Sequence, residues 1–328
     1  MKYRKLGRSG MKISEVSFGA WAIGGSEWGN TDDTESLKAL YKAAENGVNF
    51  FDTADIYGMG RSEKLIAQFK KDIGKEIFIA TKAGRKLSPH VPEGYNEKNI
   101  RGYVEESLKN LETDCLDLLQ LHCPPTQVYY QPETFDALEK LVEEGKLRNY
   151  GVSVEKVEEA LKAIEFPGVK TVQIIFNMFR HRPMELFFKE AEKREIGIIV
   201  RVPLASGMLT GKITKDRVFE KTDHRLYNRE GEAFDKGETF AGVNFDKGLE
   251  AVEELKRIVP DGMTMAQFAL KWILMAPQVS CIIPGAKTEF QAEQNTAASD
   301  MPELNKEIMK KISEIYDKYC REDVHFRW

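Results

Sequence analysis

Asp52, Tyr57, Lys82 and His122 are residue types that can together pass a proton to or from a substrate oxygen. Residues 51–58 read Phe-Asp-Thr-Ala-Asp-Ile-Tyr-Gly, so a carboxylate closes a strand-like run and a tyrosine follows five positions on, beside a glycine that frees the backbone to turn. A phenol has an ordinary pKa of about 10, and a nearby ammonium favours its ionised form, lowering that value. Lys82 is the expected ammonium, and Asp52 would hold it charged and oriented. His122 could hydrogen-bond a substrate oxygen beside the tyrosine. Asp55, equally acidic, lies outside this set. Each residue alone is more often packing or solvated surface, so the weight rests on all four falling at comparable places in the chain.

Those places are the ends of strand-like runs. Short apolar runs fall at 15–20, 49–52, 77–82, 116–122, 148–154, 171–177, 196–202 and 279–283, eight in all. Amphipathic helical stretches separate them, near 34–46, 61–71, 97–112, 132–144, 155–164, 184–194 and 264–275, with another after 287. Helix, glycine and strand recur in that order, as at Gly47, Gly145 and Gly197. Eight β-then-α units predict a parallel sheet closed as a (β/α)8 TIM barrel, with an open doubly wound sheet as the alternative. In a barrel, Asp52, Lys82 and His122 close consecutive strands and converge on one face, with Tyr57 in the loop just after the second. Three segments lie outside the repeat. Residues 2–14, turning at Gly7-Arg8-Ser9-Gly10, are expected to form a hairpin that plugs one end. Residues 206–246 form a long glycine- and charge-rich insertion after the seventh strand. A helix near 303–319 has no strand after it. With no linker composition, residues 1–328 read as a single domain.

Other chemistries lack their residues. His122-Cys123 is followed by two prolines, and His90, His181, His224 and His325 show no zinc-ligand spacing, so no metal site is expected. No G-x-S-x-G occurs, and Gly58-Met59-Gly60 lacks the third glycine of a Rossmann fingerprint. Forty-eight Lys and Arg against 52 Asp and Glu give a charge of −4, which argues against a polynucleotide partner. No apolar run approaches the roughly 20 residues of a membrane span. Lys12, Ser14 and Glu15 interrupt any signal peptide, and the four cysteines show no C-x-x-C spacing. A soluble cytoplasmic protein is the expectation, with a small molecule as its partner; no protein partner is indicated.

The segments 51–58, Ile79-Ala80-Thr81-Lys82 and Leu119-Gln120-Leu121-His122 resemble signatures of the aldo-keto reductases, with similar correspondence at Gly19-Ala20-Trp21, Gly151-Val152-Ser153, Val172-Gln173, 203–212 and Ile283-Pro284-Gly285-Ala286-Lys287. The resemblance covers nearly the whole chain. It implies that Asp52, Tyr57, Lys82 and His122 form the family's catalytic tetrad in an oxidoreductase that reduces aldehydes or ketones to alcohols by hydride transfer. It also implies a nicotinamide dinucleotide, NADP(H) in preference to NAD(H), bound extended across the barrel mouth. Gly19, Ala20, Trp21 and Asp52 would adjoin it, and Ser153 and Gln173 would hold the carboxamide. Pro203, Leu204, Ala205, Ser206, Gly207, Leu209 and Lys212 would wrap the pyrophosphate, and Gly285, Lys287, Gln291 and Asn295 would take the adenosine end. The helix start beside Lys287 suits a phosphate on physical grounds as well. Trp21, Trp28, Tyr57 and His122 are the expected substrate pocket, with Phe179, His224, Arg225 and Phe240 as further walls.

The sequence departs from many relatives at Val154, where an amide is lost, and at Arg201, where an aromatic would stack on the nicotinamide. Arg201 is expected to stack there and disfavour the oxidised, cationic ring. Two other readings stay open: a cofactor-sensing regulatory subunit, as in the superfamily's channel-associated members, and an NAD-linked alcohol or sugar dehydrogenase.

Overall fold

The computed structural model describes residues 1–328 apart from Ser26 and Asn30. Two short strands, β1 (Tyr3–Lys5) and β2 (Lys12–Ser14), pair antiparallel as the expected hairpin. Eight strands follow in one parallel sheet: β3 (Phe18–Gly19), β4 (Phe50–Asp52), β5 (Phe78–Ala83), β6 (Leu118–His122), β7 (Tyr150–Ser153), β8 (Val169–Ile175), β9 (Gly197–Arg201) and β10 (Val279–Ile282). Their spatial order is their chain order. Parallel bridges Val16–Ile282 and Gly19–Gly285 join the first strand to the last and close the TIM barrel. At that seam a Cβ on Gly19 would meet the Ile283 carbonyl oxygen at 2.5 Å, so only glycine permits the approach.

Side-chain parity sorts the strands into two cores. Phe51, Ile79, Leu119, Leu121, Val172, Ile198 and Val200 face outward into the layer shared with the helices. Phe50, Ala80, Leu118, Ile199 and Cys281 face inward and pack with Leu6, Met11 and Ile13 of the hairpin, which forms the barrel floor. Two residues further along the same inward faces come Asp52, Lys82, Gln120 and Arg201. The interior is therefore apolar below and polar at the mouth.

Helices sit where cap and period place them. Asp32 accepts from the Glu35 N–H to start Asp33–Glu45, and Gly47 follows its last turn at φ 90°. Thr264 and Gln267 form a capping box for Met265–Leu274. Asn305 caps Lys306–Tyr319, the helix outside the repeat. The segment after β9 is less uniform than expected. It runs through a turn at Ala205–Thr210 and a short helix at His224–Tyr227 into a further helix, Phe245–Lys256, that the sequence reading omitted. Its buried positions, Gly248, Ala251, Val252 and Leu255, do keep helical spacing. A glycine in its first turn and the glycine-rich stretch before it hide that signal. Among the described residues no helix is long and apolar enough to cross a membrane.

Candidate active site

β4, β5 and β6 bring Asp52, Lys82 and His122 to adjacent positions at the mouth, because Asp52 pairs in register with Ala80 and Lys82 with Gln120. The Lys82 ammonium forms a short ion pair with Asp52, donates to the Thr53 carbonyl at 2.8 Å and lies 3.2 Å from the Tyr57 hydroxyl. The Tyr57 and His122 rings meet edge to face at 5.9 Å. Tyr57 is placed by a tight turn, its N–H donating to Ala54 at 3.1 Å, with Gly58 at φ 60°. Gly24 closes behind it, and a Cβ there would come within 2.7 Å of the Tyr57 Cβ.

Asp52 has more partners than the sequence reading gave it. Gln173 and Gln120 donate to its second oxygen at 2.7 and 3.0 Å, and the two amides meet at 3.2 Å. Ser153 reaches the Gln173 carbonyl oxygen at 3.5 Å. The two residues expected at the carboxamide are thus tied to Asp52. Gln120 was missed, although it stands two residues before His122 on the same strand face.

Burial opposes charge on Lys82, yet Asp52 and Tyr57 outweigh it and hold the ammonium above its ordinary range. For Tyr57 the balance corrects the expectation. Burial raises the phenol more than Lys82 lowers it, so the net shift is upward and the hydroxyl stays protonated. Burial, then the charges of Arg85, Lys82 and Arg201, hold His122 well below its ordinary value and therefore neutral. Its Nδ1 is buried without a hydrogen-bond partner among the described residues.

A cavity of about 530 Å³ opens against these groups, lined by Trp21, Tyr57, Arg85, His122, Cys123, Glu155, Phe234 and Glu238 among others. Trp28, Phe179, His224, Arg225 and Phe240 are not in its wall. Trp28 instead packs edge to face on Trp21 at 5.2 Å and on His224 at 4.4 Å, under the Arg225 guanidinium. Trp21 stacks on Tyr57 at 6.0 Å, and its indole N–H donates to Glu27. From the insertion, Phe234, Asp235 and Glu238 reach the cavity.

Arg201 does not stand free to stack on a ring. It is 7% exposed, donates to Glu155 at 2.7 Å and to the Val154 carbonyl at 3.0 Å, and pairs with Glu238 at 3.2 Å. Arg85 bridges the same two carboxylates, at 2.9 Å to Glu155 and in a short contact to Glu238. The charge expected to repel an oxidised nicotinamide is thus compensated. Cys123, Glu155 and Glu238 lie within 4.8 Å of one another, but the two guanidiniums already occupy the place a cation would take.

The remaining expected residues ring the mouth. Pro203 precedes a strap in which Ala205, Ser206 and Gly207 take positive φ; Ala205 and Leu209 are buried, and Lys212 is exposed. Ser206 is used internally, donating to the Glu238 carbonyl at 3.0 Å and accepting from Phe240 N–H. Leu204 packs on the core beside it. Across the seam from Gly19, Ala20 and Trp21, Asn295 donates to the Gly285 carbonyl at 3.1 Å and Gln291 accepts from the Lys287 N–H at 2.7 Å. The Lys287 ammonium reaches the carbonyls of Trp28 and Gly29, joining the helix Glu289–Thr296 to the loop after β3.

A model of the aldo/keto reductase family matches residues 15–317. The aldo-keto reductase YhdN of Bacillus subtilis is 30% identical over 99% of this chain and 96% of its own length. A probable voltage-gated potassium channel subunit beta of Arabidopsis thaliana is 32% identical, over 96% of each chain. Among solved structures, the glycerol dehydrogenase AKR11B4 from Gluconobacter oxydans superposes with a TM-score of 0.79 at 27% identity, covering 97% of this chain and 95% of its own.

Proposed function

The chain belongs to the aldo/keto reductase family of oxidoreductases, and from that premise we propose that it reduces aldehydes or ketones to alcohols with NADPH, using Tyr57 as general acid. The observation that carries this reading is the Asp52–Lys82–Tyr57 chain beside a neutral His122, whose Nδ1 has no hydrogen-bond partner among the described residues, at a cavity. The bound dihydronicotinamide supplies the hydride. The fit rests on the orphaned His122 Nδ1 next to Tyr57, and on the strap and the Lys287 helix start that flank the same mouth.

Tyr57 holds its proton until oxygen develops negative charge, because burial keeps the phenol neutral in the resting site. Lys82, 3.2 Å away, then stabilises the phenolate left behind. Asp52 keeps that ammonium charged and fixed, and is itself held by Gln120 and Gln173. His122, neutral, offers an N–H to the same substrate oxygen and orients it. Lys287 favours the 2′-phosphate of NADPH at the helix start. General acid help of this kind is worth roughly 100- to 10,000-fold. Tyr57→Phe is expected to retain cofactor affinity and lose that factor in turnover, and a mutant with wild-type turnover would overturn the assignment.

A second reading is favoured by the 32% identity to a potassium channel β subunit. In it the chain binds cofactor tightly, turns over negligibly and reports cofactor state to a protein partner. Burst measurements separate the two: a single turnover without steady-state turnover supports the regulatory subunit.

A further inference from the structure

The cavity wall carries a cation that the tetrad chemistry does not use. Arg85 stands three residues beyond Lys82, in the loop after β5, and lines the cavity together with Tyr57 and His122. Only its Nη2 is engaged, by Glu155 and Glu238; its Nη1 and Nε have no hydrogen-bond partner among the described residues. The guanidinium is also held still. Glu155 follows β7, Glu238 comes from the insertion, and the Arg85 guanidinium lies 5.8 Å from the Phe234 ring. A fixed fork with open N–H groups on a wall shared with Tyr57 and His122 is a recognition element for a second oxygen on the substrate. After burial, its charge is the strongest influence that keeps His122 neutral.

The rest of the wall decides the charge of that substrate. Glu27, Glu159 and Asp235 join Glu155 and Glu238, with Lys156 as the further cation beside Arg85. A substrate carboxylate would meet this excess of acid, whereas hydroxyl groups can donate to it and an apolar chain would leave it unpaired. Trp21 and Phe234 supply flat apolar faces between the polar groups.

We propose that Arg85 is a specificity residue, selecting neutral carbonyl compounds that carry an oxygen on the carbon adjacent to the reacting carbonyl, that is, 2-hydroxy carbonyls and 1,2-dicarbonyls. This rests on the reductase reading above and adds to it the substrate class. The test compares hydroxyacetone with 2-butanone, which replaces the hydroxyl by a methyl, and with pyruvate as the anion, using NADPH and NADH. Wild type is expected to favour hydroxyacetone over 2-butanone in kcat/KM by roughly 10- to 100-fold, the range of one hydrogen bond to a charged group. Arg85→Met should cut that ratio at least tenfold, and Arg85→Lys, which keeps a charge and donors, should restore part of it. A merely structural Arg85 would lower both rates together and leave the ratio unchanged, which overturns the proposal. So does a wild-type ratio near one, a reading that needs no variant to fold, or pyruvate reduced better than hydroxyacetone. Turnover of 2-butanone without preference sinks the specificity alone; turnover of no carbonyl sinks the reductase reading and this proposal with it.

Discussion

Asp55, three residues past Asp52, should make the protein measurably less stable as pH rises toward neutrality. Its side chain is fully buried, neither carboxylate oxygen has a hydrogen-bond partner among the described residues, and its backbone N–H donates to the Lys82 carbonyl at 3.2 Å. Burial pushes its pKa from 3.8 up to about 7; Lys86 opposes this, and Glu63 adds to it. Well below pH 3.8 the group is protonated in both folded and unfolded chains and costs nothing. Between pH 4 and 7 the unfolded chain releases its proton while the folded one keeps it, so stability falls; above 7 both ionise and the curve levels. A shift from 3.8 to about 7 corresponds to about 4 kcal/mol. Asp55→Asn keeps the shape and removes the titration, and any cost of burying its amide is the same at every pH. Urea unfolding of both proteins from pH 4.5 to 8.5 should therefore show the mutant gaining about 3 kcal/mol on wild type, the rest of the effect lying below pH 4.5, a midpoint change of roughly 1 M for a slope near 3 kcal/mol per M. A gap that stays constant within about 1 kcal/mol over this range would refute the reasoning.

Lys82→Met removes the cation paired with the buried Asp52, and should cost about 3–5 kcal/mol of stability along with turnover, read by urea unfolding and NADPH oxidation. Gly24→Ala forces Tyr57 to move; steady-state kinetics should show kcat falling roughly 10- to 100-fold while cofactor affinity is kept. Lys287→Ala should weaken NADPH more than NADH, the ratio of dissociation constants changing roughly 3- to 30-fold by fluorescence titration. Because His122 is held neutral, the pH profile of kcat/KM should show no step near 6.5; a step there that vanishes in His122→Asn would contradict the assignment.

The barrel was legible because its repeat is local: each helix, glycine and strand announces itself within about thirty residues, and strand parity then carries Asp52, Lys82 and His122 to one face. The partners of those groups were not legible. Gln173 meets Asp52 across 121 residues and Glu238 meets Arg85 across 153, so only closure of the barrel joins them. The direction of the Tyr57 shift was missed for a related reason. Sequence names the ammonium but not the depth of burial, which here wins. Trp28 was placed in the pocket for its aromatic type, whereas the insertion delivers His224 against it and Phe234 to the cavity.

The hairpin floor has a meaning for synthesis on the ribosome. Leu6, Met11 and Ile13 are made first, yet the surface they seal includes Ile199, about 190 residues later, and Cys281 and Ile283, about 270 residues later. Until that last strand emerges, the inner faces of Phe50, Ala80 and Leu118 have no complete floor to pack against. The nascent chain must therefore carry an open, apolar half-barrel through most of its elongation, at ordinary rates for roughly 15–60 s, and its need for protection from aggregation should peak before residue 280 rather than early.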